Sequence, residues 1–122
     1  MTKVLVIEDE ELLRESILDI LKTGGFTAVS AENGRKGLDL ASEFVPELIL
    51  CDVRMPELDG YEVLKALRQD PVLENILLIF LTAETQQTVQ RQGQILGANA
   101  YLIKPFTKAQ LLEVINQVIR DR

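Results

Sequence analysis

The sequence predicts a doubly wound α/β domain with five parallel strands in the order 2-1-3-4-5 and helices on both faces. Three observations lead there. Short apolar runs alternate with helical patterns five times along the 122 residues. The runs are apolar throughout rather than alternately polar, as in strands covered on both sides. The second run is the most polar and suits an edge, while the first, third and fourth suit the centre.

The first run, Val4-Leu5-Val6-Ile7, leads into a helix whose spacing of three and four predicts burial of Leu12, Leu13, Ile17, Ile20 and Leu21. Gly24-Gly25 ends it, because glycine tolerates a left-handed cap. The second strand is Thr27–Ala31. Asn33 is a good N-cap for the next helix, which buries Leu38, Leu40 and Ala41. The third strand is Leu48–Asp52, followed by the loop Met55-Pro56-Glu57-Leu58-Asp59-Gly60 and a helix with Val63, Leu64 and Leu67 inside. Ile76–Leu81 is the fourth and most apolar run. A polar fourth helix is expected from about Thr85 to Leu96, closed by Gly97. Ala100–Ile103 is the fifth strand. After Lys104-Pro105 a fifth helix buries Leu111, Leu112, Ile115, Val118 and Ile119.

Length and charge narrow the function. Residues 1–122 suffice for one domain and not for two. Thirteen basic and nineteen acidic residues give a net charge of −6, which argues against direct binding of nucleic acid. No run reaches the roughly 18 apolar residues of a membrane span. The single cysteine, Cys51, excludes an internal disulfide and fits the reducing cytoplasm. The chain has no histidine, so it lacks an imidazole ligand, base or phosphohistidine of its own.

Ligands of open α/β sheets bind beyond the carboxyl ends of the strands. Strand one ends in Glu8-Asp9, strand three in Asp52, strand four in Thr82-Ala83 and strand five in Lys104-Pro105. Three carboxylates, a hydroxyl and one ammonium therefore meet at one crevice. Crowded carboxylates repel unless a cation joins them, and hard oxygen donors favour Mg²⁺ or Mn²⁺ over zinc. Asp52 could hold such a metal or itself attack phosphorus, with Lys104 and Thr82 taking phosphoryl oxygens. No general base is needed, since the attacking carboxylate is already ionised at neutral pH. Taken singly, each residue has a plainer use: Glu8 and Asp9 as acids near a helix start, Asp52 as a loop acid, Thr82 as an N-cap.

Glu8-Asp9, Asp52, Met55-Pro56, Asp59-Gly60, Thr82-Ala83 and Lys104-Pro105, in this order, resemble the receiver domain of response regulators, the chemotaxis-regulator-like modules of two-component signalling. The likeness spans essentially the whole chain and implies the flavodoxin-like fold. It implies that Asp52 is the phosphoacceptor for a histidine kinase or histidine phosphotransfer protein. It makes Asp9 a direct metal ligand, the Arg54 backbone carbonyl another, and Glu8 a ligand through water. Lys104 would contact the phosphoryl group, and Pro105 would follow a cis peptide bond. Thr82 and Tyr101 would be the switch pair. They would remodel the face of the fourth helix, fifth strand and fifth helix for an output protein or domain, a face through which two copies could also pair. Arg54 and Glu84 would tune phosphoryl lifetime, as an ion pair over the site. The weakly anchored, glutamine-rich fourth helix, with Gly93 inside it, suits an element that moves. Such a chain assists its own phosphorylation and dephosphorylation and turns over no separate substrate.

Rival readings fit less well. A flavodoxin-like cofactor binder needs a phosphate loop after strand one, where this chain has Glu8-Asp9-Glu10-Glu11. A related metal-dependent phosphatase would want an acid where Arg54 stands. A receiver that acts only by binding would not need the complete acidic set.

Overall fold

The computed structural model describes residues 2–83, 91–92 and 96–122. Its elements are β1 (Lys3–Ile7), α1 (Glu11–Thr23), β2 (Thr27–Ala31), α2 (Gly34–Phe44), β3 (Leu48–Asp52), α3 (Gly60–Gln69), β4 (Leu77–Thr82), β5 (Ala100–Ile103) and a C-terminal helix (Lys108–Asp121). The expected fourth helix, with Gly93 and most of its glutamines, lies largely outside the described residues, and so does Glu84.

The strands form one parallel sheet in the order β2-β1-β3-β4-β5. β3 and β4 are buried along their whole length, and β1 from its second residue onward. β2 and β5 are partly exposed and form the edges. Each fully buried aliphatic side chain contributes about 1.5–3 kcal/mol, so the three inner strands hold the sheet together.

Side chains alternate between the two faces of a strand, which gives two cores. On one face Ile7, Ile49, Cys51 and Phe80 pack against α2 and α3 through residues such as Ala41 and Leu64. On the other, Val6, Leu50 and Leu81 pack against α1 and the C-terminal helix through Ile17, Leu21 and Ile115. Of the residues expected inside α1, Leu12 is the exception: it is 77% exposed. It lies five positions from Ile17, about 140° around the helix axis, and so faces away from the sheet.

The helix ends follow local chemistry. The Asn33 side chain accepts a hydrogen bond of 2.8 Å from the Lys36 amide. Asp59 with Glu62 and Thr107 with Gln110 form reciprocal capping boxes. Gly25 takes the left-handed conformation after α1, with φ at 90°. Val45 does the same after α2, with φ at 45°, an unfavourable state for a β-branched residue. No helix among the described residues is long and apolar enough to cross a membrane.

Candidate functional site

Register brings the strand tips together. Ile7 lies level with Cys51, so Glu8 follows on β1 where Asp52 ends β3. Asp52 lies level with Leu81, and Thr82 with Ile103, the residue before Lys104. The chain leaves β1 for one face of the sheet and β3 for the other, so the crevice opens between these two strands.

Glu8, Asp9 and Asp52 each offer a carboxylate oxygen, and these oxygens lie within 4.8 Å of one another. Glu8 is completely buried, Asp52 is 6% exposed and Asp9 faces solvent. Lys104 reaches in from β5. Its Nζ donates to Glu8 Oε1 at 2.7 Å and lies 3.3 Å from Asp52 Oδ2. The peptide bond between Lys104 and Pro105 is cis. Thr82 is buried, and its backbone carbonyl accepts from the Lys104 amide at 2.8 Å.

Glu8 does more than the sequence indicated. Besides Lys104, it accepts the Glu10 amide on Oε2 at 3.1 Å, and its own carbonyl accepts from Arg14 Nη1 at 3.0 Å. It therefore fixes the ammonium and the turn into α1 together. The longer glutamate side chain was visible in the sequence, but its partner was not.

The electrostatics correct one expectation. Burial, and then the Glu8 carboxylate, push Asp52 up to about 7, against the pull of Lys104. The protein's own charges thus leave Asp52 only partly ionised at neutral pH, not fully ionised as an exposed aspartate would be. For Lys104, burial disfavours the charge. The carboxylates of Glu8 and Asp52 outweigh that and hold its ammonium above the usual lysine range. Cys51 is buried in the core, where desolvation pushes its thiol well up, so it is an inert packing residue.

These donors suit a hard divalent cation. They are all carboxylates, they are not matched by equal positive charge, and one of them is open to solvent. Arg54 is exposed at the mouth of the crevice. Its expected pairing with Glu84 falls outside the described residues.

Gly60 keeps α3 close beneath Asp52. A Cβ there would stand 2.4 Å from the Asp52 carbonyl oxygen and 2.9 Å from Val53 Cα. The sequence placed it only at the end of the loop that follows the third strand. Also unanticipated was Arg68, whose guanidinium donates to the carbonyls of Gly97, Glu74 and Ile76. It ties the end of α3 to the segment entering β5. An arginine at the polar end of a helix gives no sequence signal for such a clamp.

Comparison with known proteins agrees with this geometry. The response regulator receiver domain family matches residues 4–116. The chain is 34% identical over 118 residues to the polar-differentiation response regulator DivK of Brucella anthropi, covering 97% of this chain and 96% of that protein. It is 36% identical over 117 residues to the probable transcriptional regulator ycf29 of Pyropia yezoensis, covering 96% of this chain but 53% of that relative, and so spans about half of its length. The chemotaxis protein CheY4 of Vibrio cholerae superposes with a TM-score of 0.93 at 31% identity, over 97% of this chain and 98% of that one.

Proposed function

The chain belongs to the response regulator receiver domain family of two-component signalling, and on that premise we propose that Asp52 is its phosphoacceptor. The observation that carries the reading is the set of three carboxylate oxygens within 4.8 Å, with one lysine ammonium laid across two of them. Residues 1–122 act as a single receiver domain.

The donor is a phosphohistidine on a histidine kinase or histidine phosphotransfer protein. An Asp52 carboxylate oxygen forms the new O–P bond as the N–P bond breaks, and the departing imidazole takes up a proton. Lys104 holds a phosphoryl oxygen, which requires its ammonium to turn from Glu8 and Asp52 toward the incoming group. The Thr82 hydroxyl takes another oxygen. Asp9, Asp52 and the Arg54 carbonyl would hold a divalent cation directly, Mg²⁺ or Mn²⁺, and Glu8 through water. Bound there, the cation supplies positive charge that offsets the crowded carboxylates and the equatorial phosphoryl oxygens. Asp52 attacks in its ionised form, although its surroundings push its carboxyl up to about 7. Attack of water on the acyl phosphate later resets the chain.

Tyr101 with Thr82 forms the switch, read at the face of β5, the C-terminal helix and the glutamine-rich segment before them. Two grooves support that assignment. One, of about 310 Å³, is lined by Tyr101, Ala100, Val114 and Val118 among others. The second, of about 480 Å³, is lined by Tyr101, Ile103 and Pro105 among others. An output protein or domain, or a second copy of the chain, would dock there. Arg54 and Glu84 tune phosphoryl lifetime. The buried free thiol of Cys51 suits a cytoplasmic setting.

The test is incubation with acetyl phosphate and Mg²⁺ followed by intact mass. One phosphoryl group should be gained by the native chain, and none by Asp52→Asn or after chelation. Uptake that persists in Asp52→Asn would overturn the assignment. Continuous turnover of small phosphate esters would favour the phosphatase alternative.

A further inference from the structure

Phe80 of β4 lies directly opposite Tyr101 of β5 in the sheet register. Their ring centroids are 6.2 Å apart, with the planes inclined by 28°. Tyr61, the second residue of α3, meets Phe80 edge-on at 5.4 Å and 71°. Three rings thus run from the outer strand to the start of α3. Phe80 also closes on the segment below Asp52: a Cβ on Gly60 would stand 3.0 Å from Phe80 Cε1.

We propose that Phe80 is a positioning residue that carries the movement of Tyr101 to Tyr61, so that phosphorylation is displayed at the start of α3 as well as around β5. The inference rests on the switch role proposed for Tyr101. Close-packed interiors move between discrete arrangements and do not deform continuously. A Tyr101 ring travelling inward must slide across the face of Phe80. Phe80 is completely buried and has no solvent to move into. The Tyr61 hydroxyl is buried but the residue as a whole is only partly covered, so Tyr61, unlike Phe80, can shift toward its open side.

The chain has two tyrosines, Tyr61 and Tyr101, so ring-labelled tyrosine gives one set of NMR signals for each. The spectra are recorded on the chain with Mg²⁺, before and after beryllofluoride, a phosphoryl mimic. Both tyrosines should shift in the native chain. In Phe80→Leu, Tyr101 should still respond while the Tyr61 shift shrinks by about threefold or more, as expected when an aromatic contact is lost. Tyr61→Phe should leave the Tyr101 response native, and Tyr61→Leu should change the inward fraction of Tyr101 by about 2–10-fold. A Tyr61 shift undiminished in Phe80→Leu would assign it to the nearby charge on Asp52 and overturn the proposal. If Phe80→Leu does not fold, identical Tyr101 responses in Tyr61→Phe and Tyr61→Leu would overturn it. A native Tyr101 that stays silent would defeat the switch reading itself, whereas a silent Tyr61 beside a responding Tyr101 defeats this inference alone.

Discussion

Two carboxylates, Glu47 and Asp52, stand at opposite ends of the same strand and have opposite electrostatics. At the amino end, Glu47 accepts the Lys3 amide at 3.2 Å and pairs with Arg122 at 3.3 Å. The Lys3 hydrogen bond, with Arg122 assisting, holds its carboxyl below the usual range. At the carboxyl end, Asp52 is buried beside Glu8 and pushed up to about 7. One end satisfies its charges. The other keeps an unfavourable negative charge that an added cation or a phosphoryl transfer can relieve. Conformational strain is not confined to the carboxyl end, since Val45, at the amino end, has φ at 45°. The crowding of like charge is what sets the carboxyl end apart.

The largest expected effect tests how tightly the carboxyl end is built. Gly60→Ala sets a Cβ 2.4 Å from the Asp52 carbonyl, so backbone must shift. Denaturant unfolding should show a loss of about 2–3 kcal/mol, and phosphoryl uptake should slow. A neutral result would mean that α3 can move away from β3 without cost.

Next comes the charge itself. The folded carboxyl of Asp52 lies above its unfolded value. Its ionisation therefore penalises folding, negligibly below the ordinary carboxylate range and fully above about pH 7. Asp52→Asn should stabilise the chain at pH 8 by roughly 1–3 kcal/mol and by far less near pH 4. Mg²⁺ should raise the melting temperature of the native chain at pH 8 and have a weaker effect on the variant. An Asp52→Asn chain that is less stable than the native one at pH 8 would break the contrast.

Two smaller changes probe the amino end. Val45→Asn should relieve the left-handed backbone and add roughly 0.5–1 kcal/mol in thermal unfolding. Glu47→Gln should lose no more than about 1 kcal/mol, with the loss shrinking in high salt, because its ion pair is exposed. A loss at Glu47 as large as the gain at Asp52 would show that the two ends do not differ in kind.

Among the described residues, the sequence by itself determined the strand order, the element types and which residues converge. Apolar runs, caps such as Asn33 and strand-end acids such as Asp9 and Asp52 are local features, and a parallel sheet carries them to one rim. Tertiary structure decided the rest. It set how deeply Asp52 is buried, which oxygen of Glu8 takes Lys104, why Gly60 must be small and that Phe80 touches both tyrosines. Those are distances between residues far apart in the chain, set by register and packing, and periodicity along a single strand or helix does not encode them.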